Sequence, residues 1–278
     1  MKELEKFKMK FSVLRSGSSG NCTLIEHDSC RILIDAGMSQ KKIREVLEEV
    51  ELDPSDIAAI VVTHLHSDHC NYSTIQICRK FGIELFIHHK NVPTLKTVIK
   101  KELSSDELRI RTFSDQTFQI GTLVLEPFEI SHDAYVVTSG FSICPESVDG
   151  KYLTYAADLG FFPDNLIFRF QNAKNIILES NHDTDLLWKN PYRPYIHKKR
   201  VAGEKGHLSN KQSAEALIKI AQISTRRPDN VVLCHLSKDH NSPQLAFDSV
   251  SSLLKEHDIV LPLHVAKRDE RTPFFEIV

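Results

Sequence analysis

Ile60-Val61-Val62-Thr63-His64-Leu65-His66-Ser67-Asp68-His69 is the stretch that decides how the rest of this 278-residue chain is read. A short apolar run, the mark of a buried strand, ends at Thr63. Four side chains able to ligate a metal then follow between His64 and His69. A turn has little structural use for so many. Neutral imidazoles and carboxylates suit zinc and neighbouring metals, and a catalytic centre leaves a coordination position open for water.

The same grammar recurs further along. Phe128-Glu129-Ile130-Ser131 leads into His132, Thr154-Tyr155-Ala156-Ala157 into Asp158, and Val231-Val232-Leu233-Cys234 into His235. Each of these three residues alone would be an ordinary strand-end residue; beside His64, His66, Asp68 and His69 they become a candidate ligand set. Strand ends are rigid supports on which side chains distant in sequence converge. A carboxylate such as Asp158 can bridge two metals. A water shared by the pair loses a proton near neutral pH and serves as nucleophile, and the pair stabilises both oxygens of a phosphoester displacement.

Around these mouths the patterning predicts strands at Phe11–Arg15, Cys22–His27, Arg31–Asp35, Ile57–Val62, Leu123–Ile130, Val136–Ile143, Tyr152–Ala156, Asn175–Leu178 and Val231–Cys234. Helices are predicted over Ser39–Val50, Asn71–Phe81 (closed by Gly82), Asn210–Ile223 and Gln244–Leu254. No Gly/Ser-rich linker divides the halves, so residues 1–278 read as one layered α/β domain. Thirty-five basic against 37 acidic residues leave a formal charge of −2 and no global basic signature of a nucleic-acid binder. An active-site metal supplies positive charge locally, so a nucleic-acid substrate stays open. No apolar run approaches the roughly 20 residues of a membrane span. Met1–Lys10 is charged and has no signal-peptide core. Six cysteines without a CxxC pair fit reduced thiols, and the expected compartment is the cytoplasm.

The HxHxDH run with its later His, Asp and His resembles the metallo-β-lactamase superfamily. The resemblance implies a four-layer αββα sandwich with the metals at one rim. It implies His64, His66 and His132 on one ion, Asp68, His69 and His235 on the other, and Asp158 between them. Segments outside the signature are similar to the YycJ/WalJ exonuclease branch, related to ribonucleases Z and J. They are Ser16–Asn21, Leu178-Glu179-Ser180-Asn181-His182-Asp183, Gly206-His207-Leu208-Ser209-Asn210 and His235-Leu236-Ser237-Lys238. That branch implies digestion of DNA duplexes from the 5′ end. The best-known zinc β-lactamases carry Cys at the Asp158 position and are exported, so this chain is not read as one.

The ribonuclease Z-like enzymes further imply His207 as the acid that protonates the leaving oxygen, with Glu179 orienting it. A His with a carboxylate partner suits that task, although Gly206–Ser209 also reads as a plain helix start. The small residues of Ser16–Asn21, with Ser18, Ser19 and Asn21, make either an anion-binding nest or a tight hairpin loop. His182 beside Asp183 reads as pocket lining, as a partner behind a metal-ligating histidine, or as an ordinary turn. Tyr192–Arg200 mixes aromatics with Lys198, Lys199 and Arg200, which either grip phosphates or form a solvated surface. The expectation is a phosphodiesterase acting on DNA, with Asp68, His207 and Glu179 catalytic and two divalent ions, Zn²⁺ or Mn²⁺. Two alternatives share the ligand set: a small-molecule thioesterase or cyclic phosphodiesterase, and a non-catalytic metal-stabilised binding protein.

Overall fold

The structure, a computed structural model, describes residues 9–99 and 108–277; residues 1–8 of the charged N-terminal stretch lie outside them. Two seven-stranded mixed sheets face each other, with helices on both outer faces. The expected αββα sandwich is what the chain forms.

The first sheet takes β1 (Met9–Arg15), β2 (Cys22–His27), β3 (Cys30–Ile34), β4 (Ala59–Val61), β5 (Glu84–His88) and β6 (Ile110–Phe113). The second takes β7 (Phe118–Ile120), β8 (Leu123–Ile130), β9 (Thr138–Pro145), β10 (Leu153–Ala156), β11 (Asn175–Glu179), β12 (Asn230–Cys234) and β13 (Leu263–Val265). The last strand, β14 (Phe275–Ile277), returns to pair with β1. Helices α1 (Gln40–Glu48), α2 (Tyr72–Phe81) and α3 (Val92–Ile99) arise within the first half. The second half carries α4 (Asp164–Phe170), α5 (Thr184–Lys189), α6 (Tyr195–Val201), α7 (Asn210–Ile223) and α8 (Pro243–Glu256).

Burial on both faces explains why the central strands are apolar at successive positions. Along β4 and its exit, Ile60 and Val62 pack toward α1 and α2 with Leu33, Leu85, Leu47 and Ile75. Val61, on the opposite side, meets Ile34, Phe86, Phe141 and Val232 between the sheets. A third cluster joins the second sheet to its helices through Leu178, Leu233, Leu217 and Val250. The helix starts obey the expected chemistry: Ser39, Asn71 and Ser209 cap α1, α2 and α7, and the last two form capping boxes with Thr74 and Gln212. Gly82, at φ 71°, closes α2 in the left-handed conformation.

Strand direction puts the chemistry at one rim. β3, β4 and β5 are parallel to one another, as are β10, β11, β12 and β13. The carboxyl ends of β3, β4, β10, β11 and β12 therefore deliver Asp35, His64, Asp158, Glu179 and His235 to the edge of the sandwich. Ligand sites of parallel sheets lie at such ends.

Candidate active site

Three of these strand mouths are turned in the same way. Asp35, Asp158 and His235 have φ of 61°, 61° and 56°, three of the seven non-glycine residues with positive φ among those described. Such conformations cost on the order of 1–3 kcal/mol for residues with a Cβ, and they persist where the surroundings hold them. Here they bend the backbone sharply as the strand ends and aim the side chain into the rim. The histidine loop is held by close backbone packing instead. Asn21 N donates to Asp68 O at 2.8 Å and Ala36 N to His69 O at 3.0 Å. A Cβ on Gly37 would lie 1.9 Å from the Asp68 carbonyl carbon, so only glycine admits this approach.

The expected ligand atoms converge. Nε2 of His64 and Nε2 of His132 lie 3.0 and 3.2 Å from Nδ1 of His66. Asp68, His69 and His235 form a neighbouring group. Asp158 stands between the two: one oxygen is 2.8 Å from His69 Nε2, and the other is 3.7 Å from His132 Nε2 and 3.3 Å from His235 Nδ1. Nε2 of His235 is buried without a hydrogen bond, and Oδ2 of Asp158 is buried with only the His69 ring beside it among the described residues. Buried polar atoms normally have partners. Donors of this kind, unpaired and pointed at one another's neighbours, fit a divalent cation.

Behind the ligands stand two carboxylates. Asp35, fully buried, lies 2.7 Å from His69 Nδ1 through Oδ2 and also accepts from the Thr63 amide and hydroxyl, each at 2.8 Å. Oε1 of Glu179 accepts from Nδ1 of both His207 and His235, at 2.8 Å each. Its Oε2 accepts the amides of Leu159 at 3.0 Å and Leu208 at 3.1 Å. These bonds assign the proton of each ring to Nδ1 and leave Nε2 available. Burial alone would raise Glu179, yet His207 and His235 hold it down at about 2. Burial likewise opposes charge on His235, but without a metal Asp158, Asp68 and Glu179 together push it up to about 10, and a divalent ion at Nε2 would take the place of that second proton. His207 is raised for the same reason, burial being outweighed by the charge and hydrogen bond of Glu179.

The Beta-lactamase superfamily domain matches residues 30–236 of this chain. The exodeoxyribonuclease WalJ of Streptococcus pneumoniae is 32% identical over 96% of this chain and 98% of its own. The chain belongs to the metallo-β-lactamase superfamily, in the branch of that enzyme. The exodeoxyribonuclease YycJ of Bacillus anthracis is 31% identical, covering 89% of this chain and 90% of its own. Among solved structures, the metallo-β-lactamase-fold protein YhfI of Bacillus subtilis superposes with a TM-score of 0.71 at 16% identity. It covers 97% of this chain and 99% of its own. As a member of this branch the chain is a hydrolase acting on ester bonds.

A cavity of about 360 Å³ opens over the ligand cluster of this superfamily member, lined by His66, Asp68, His132, Asp158, His207 and His235. The residues expected to bind substrate divide. Arg200 lines the cavity and pairs with Asp133 across it. Lys198 is instead tied to the Trp188 carbonyl at 2.9 Å, and Lys199 stands in solvent. Ser18 reaches this cavity, and Ser19 lines an adjoining one. Asn21 turns inward: Oδ1 takes the Gly17 amide at 2.8 Å, and Nδ2 lies 3.3 Å from Asp68 Oδ2 and 2.9 Å from His69 Nε2. Its place is to hold the histidine loop. Of the loop's amides, those of Gly17, Gly20 and Asn21 are used within the protein. His182 lines neither of these two cavities; it is 2% exposed, and burial lowers it to about 4.

Sequence reasoning missed Asp35, Tyr135 and His197. Asp35 follows β3 as the candidate ligands follow their strands, and that signal was present. Tyr135 and His197, both lining the cavity, carry no local signature. No helix among the described residues is long and apolar enough to cross a membrane.

Proposed function

We propose that this hydrolase is a dinuclear phosphodiesterase that removes nucleotides from the 5′ end of DNA. The observation that carries the reading is His207: its Nδ1 is held by Glu179, its ring lies 5.1 Å from His132 and 5.2 Å from His235, and it lines the catalytic cavity. A proton donor fixed beside the ligand cluster is needed to expel an alkoxide and is of little use against a thiolate. That favours a phosphoester over a thioester. The exodeoxyribonuclease names of the relatives at 31–32% identity support DNA as the substrate.

His64, His66 and His132 would hold one divalent ion, and Asp68, His69 and His235 the other, with Asp158 shared; Zn²⁺ and Mn²⁺ both suit these donors. Bound there, the ions supply Lewis acidity toward phosphoryl oxygens and acidify a water. The chain's own residues do the rest. Glu179 keeps the Nδ1 proton of His207 in place and stabilises its charged form, and Nε2 gives a proton to the departing 3′-oxygen. Arg200 offers a cation at the rim for the strand, and the exposed Tyr135 ring, 6.1 Å from His66, offers a base a surface to stack on.

Duplex DNA labelled at one 5′ end or one 3′ end tests this, with metal-quantified protein. The 5′ label is expected to appear first in mononucleotide, while the 3′-labelled strand shortens progressively. Inertness of fully loaded protein toward duplex DNA, single strands and RNA alike would refute it.

A further inference from the structure

Outside the catalytic rim, exposed aromatic side chains gather on α5 and α6. Tyr192 is 91% exposed, Ile196 75%, Tyr195 67% and Trp188 40%. The Trp188 and Tyr195 rings lie 5.9 Å apart and make one face, with Tyr192 and Ile196 beside them in sequence. Large apolar side chains left together in water mark a surface that meets a partner. None of the seven residues of α6 is buried, so packing against the core does not account for its rings. Two cations stand in the same segment. Lys198 donates to the Trp188 carbonyl at 2.9 Å, which engages one of its three N–H groups, and Lys199 is exposed. Neither pairs with a carboxylate among the described residues. The neighbouring cations are already engaged: Lys189 by Asp185 at 2.6 Å, Arg193 by Asp239 and Arg200 by Asp133.

The same helix borders the catalytic cavity. Its inner side gives His197, Arg200 and Val201 to the lining, and Tyr195 and Lys199, four residues apart, share the outward side. A nucleic-acid strand that leaves the rim here crosses α6. We propose that the α5–α6 face binds the unpaired complementary strand of the substrate, its rings stacking on bases and its lysines meeting phosphates. The inference rests on the reading of the chain as a 5′-exonuclease of duplex DNA. Each nucleotide removed from one strand leaves a nucleotide of the other without a partner, so the working substrate acquires a growing 3′ tail. Bases inside a duplex keep their faces covered. Those of a tail are free, and any of them can stack on an aromatic side chain whatever the sequence. Cations beside the rings suit the phosphates between the bases. A second copy of the chain fits this face less well, because a two-fold contact through it sets the unpaired lysines of both copies close together.

The test measures binding by fluorescence anisotropy, with metal-quantified protein and duplexes whose 5′-ended strand carries phosphorothioate linkages that resist cleavage. The complementary strand either ends flush or extends as a short 3′ thymidine tail. Wild-type protein is expected to bind the tailed form at least about fivefold more tightly, the worth of stacking on one base. Tyr192→Ala/Tyr195→Ala should lose that advantage, and Tyr192→Phe/Tyr195→Phe should keep it. Both side chains stand in water, so the variants are expected to melt with wild type. A tail of abasic units should confer no advantage. An alanine variant that binds the tail as wild type does, an equal loss on flush and tailed DNA, or a full advantage from the abasic tail would each overturn the proposal. Sedimentation of the free protein examines the other occupant: a wild-type dimer that the alanine variant turns into a monomer assigns the face to a second copy and overturns the proposal too. Unmodified DNA given to the same preparations keeps the two readings apart. Tail binding without cleavage leaves the surface standing and sinks the exonuclease; cleavage from the 5′ end without a tail advantage does the reverse.

Discussion

His207 and His235 hang from a single carboxylate oxygen: Nδ1 of each lies 2.8 Å from Oε1 of Glu179. One of these rings is the proposed acid and the other a proposed ligand, so a single buried side chain orients two different jobs. Carboxylate partners of ligating histidines are worth about 10- to 100-fold in metal affinity or activity. Glu179→Gln keeps the shape but turns an amide toward N–H groups and removes the charge. Both metal affinity and turnover should fall by about that much, as read by chelator competition and by kcat at saturating metal. A variant that loses only one of the two would separate the roles that the shared oxygen joins.

His207→Ala should behave differently. Loss of a general acid lowers kcat by about 10²- to 10⁴-fold, while metal content measured by elemental analysis stays at the wild-type value. Metal lost in proportion to activity would make His207 a ligand.

Asp35 makes the corresponding bond to His69 at 2.7 Å. Asp35→Asn should weaken metal binding about 10- to 100-fold through the orientation of that one ring. Excess metal should recover much of the rate. An affinity equal to wild type would mean that the Thr63 bonds alone, each 2.8 Å, explain this buried carboxylate.

Away from the rim, Arg15 is 3% exposed and reaches Glu49 through Nη1 at 3.0 Å. The Arg15 hydrogen bonds, together with the Arg15 charge, lower the Glu49 pKa against the opposing effect of burial. A depressed carboxylate stabilises the fold above its unfolded pKa of about 4.3 and ceases to as pH falls through the lower folded value. Glu49→Gln should therefore lower the melting temperature at pH 7, by an amount modest for a half-exposed partner. The difference should shrink as the pH is taken below about 4. A gap that is independent of pH would locate the effect in packing.

The residues that converge at the rim could be picked out in the sequence because parallel strands buried on both faces are continuous apolar runs, and these candidate ligands stand directly behind them. Asp35 obeys the same rule but lies beyond Ile32-Leu33-Ile34 without a neighbouring His to draw attention to it. What the residues did not disclose is the left-handed turn at Asp35, Asp158 and His235, which depends on tertiary packing. Short edge strands were hidden for a different reason: Ile110–Phe113 has two exposed central residues, and Leu263–Val265 and Phe275–Ile277 are three residues each. Tyr195–Val201 is a helix with no buried residue, so it has no apolar stripe to detect. His182 lies buried away from both cavities, which the strand-mouth pattern does not disclose, because it says where a side chain emerges and not whether later segments cover it.

Two ions held by this rim are proposed to make the chain a hydrolase of phosphodiester bonds. Chelator-stripped protein titrated with Mn²⁺ or Zn²⁺, while nucleotide release from 5′-phosphorylated duplex DNA is followed, addresses it directly. No release is expected without metal, with a rate that saturates at two equivalents per chain and no activity in an Asp68→Ala/His69→Ala variant. Cleavage that persists in the variant, or saturation at one equivalent, would contradict it.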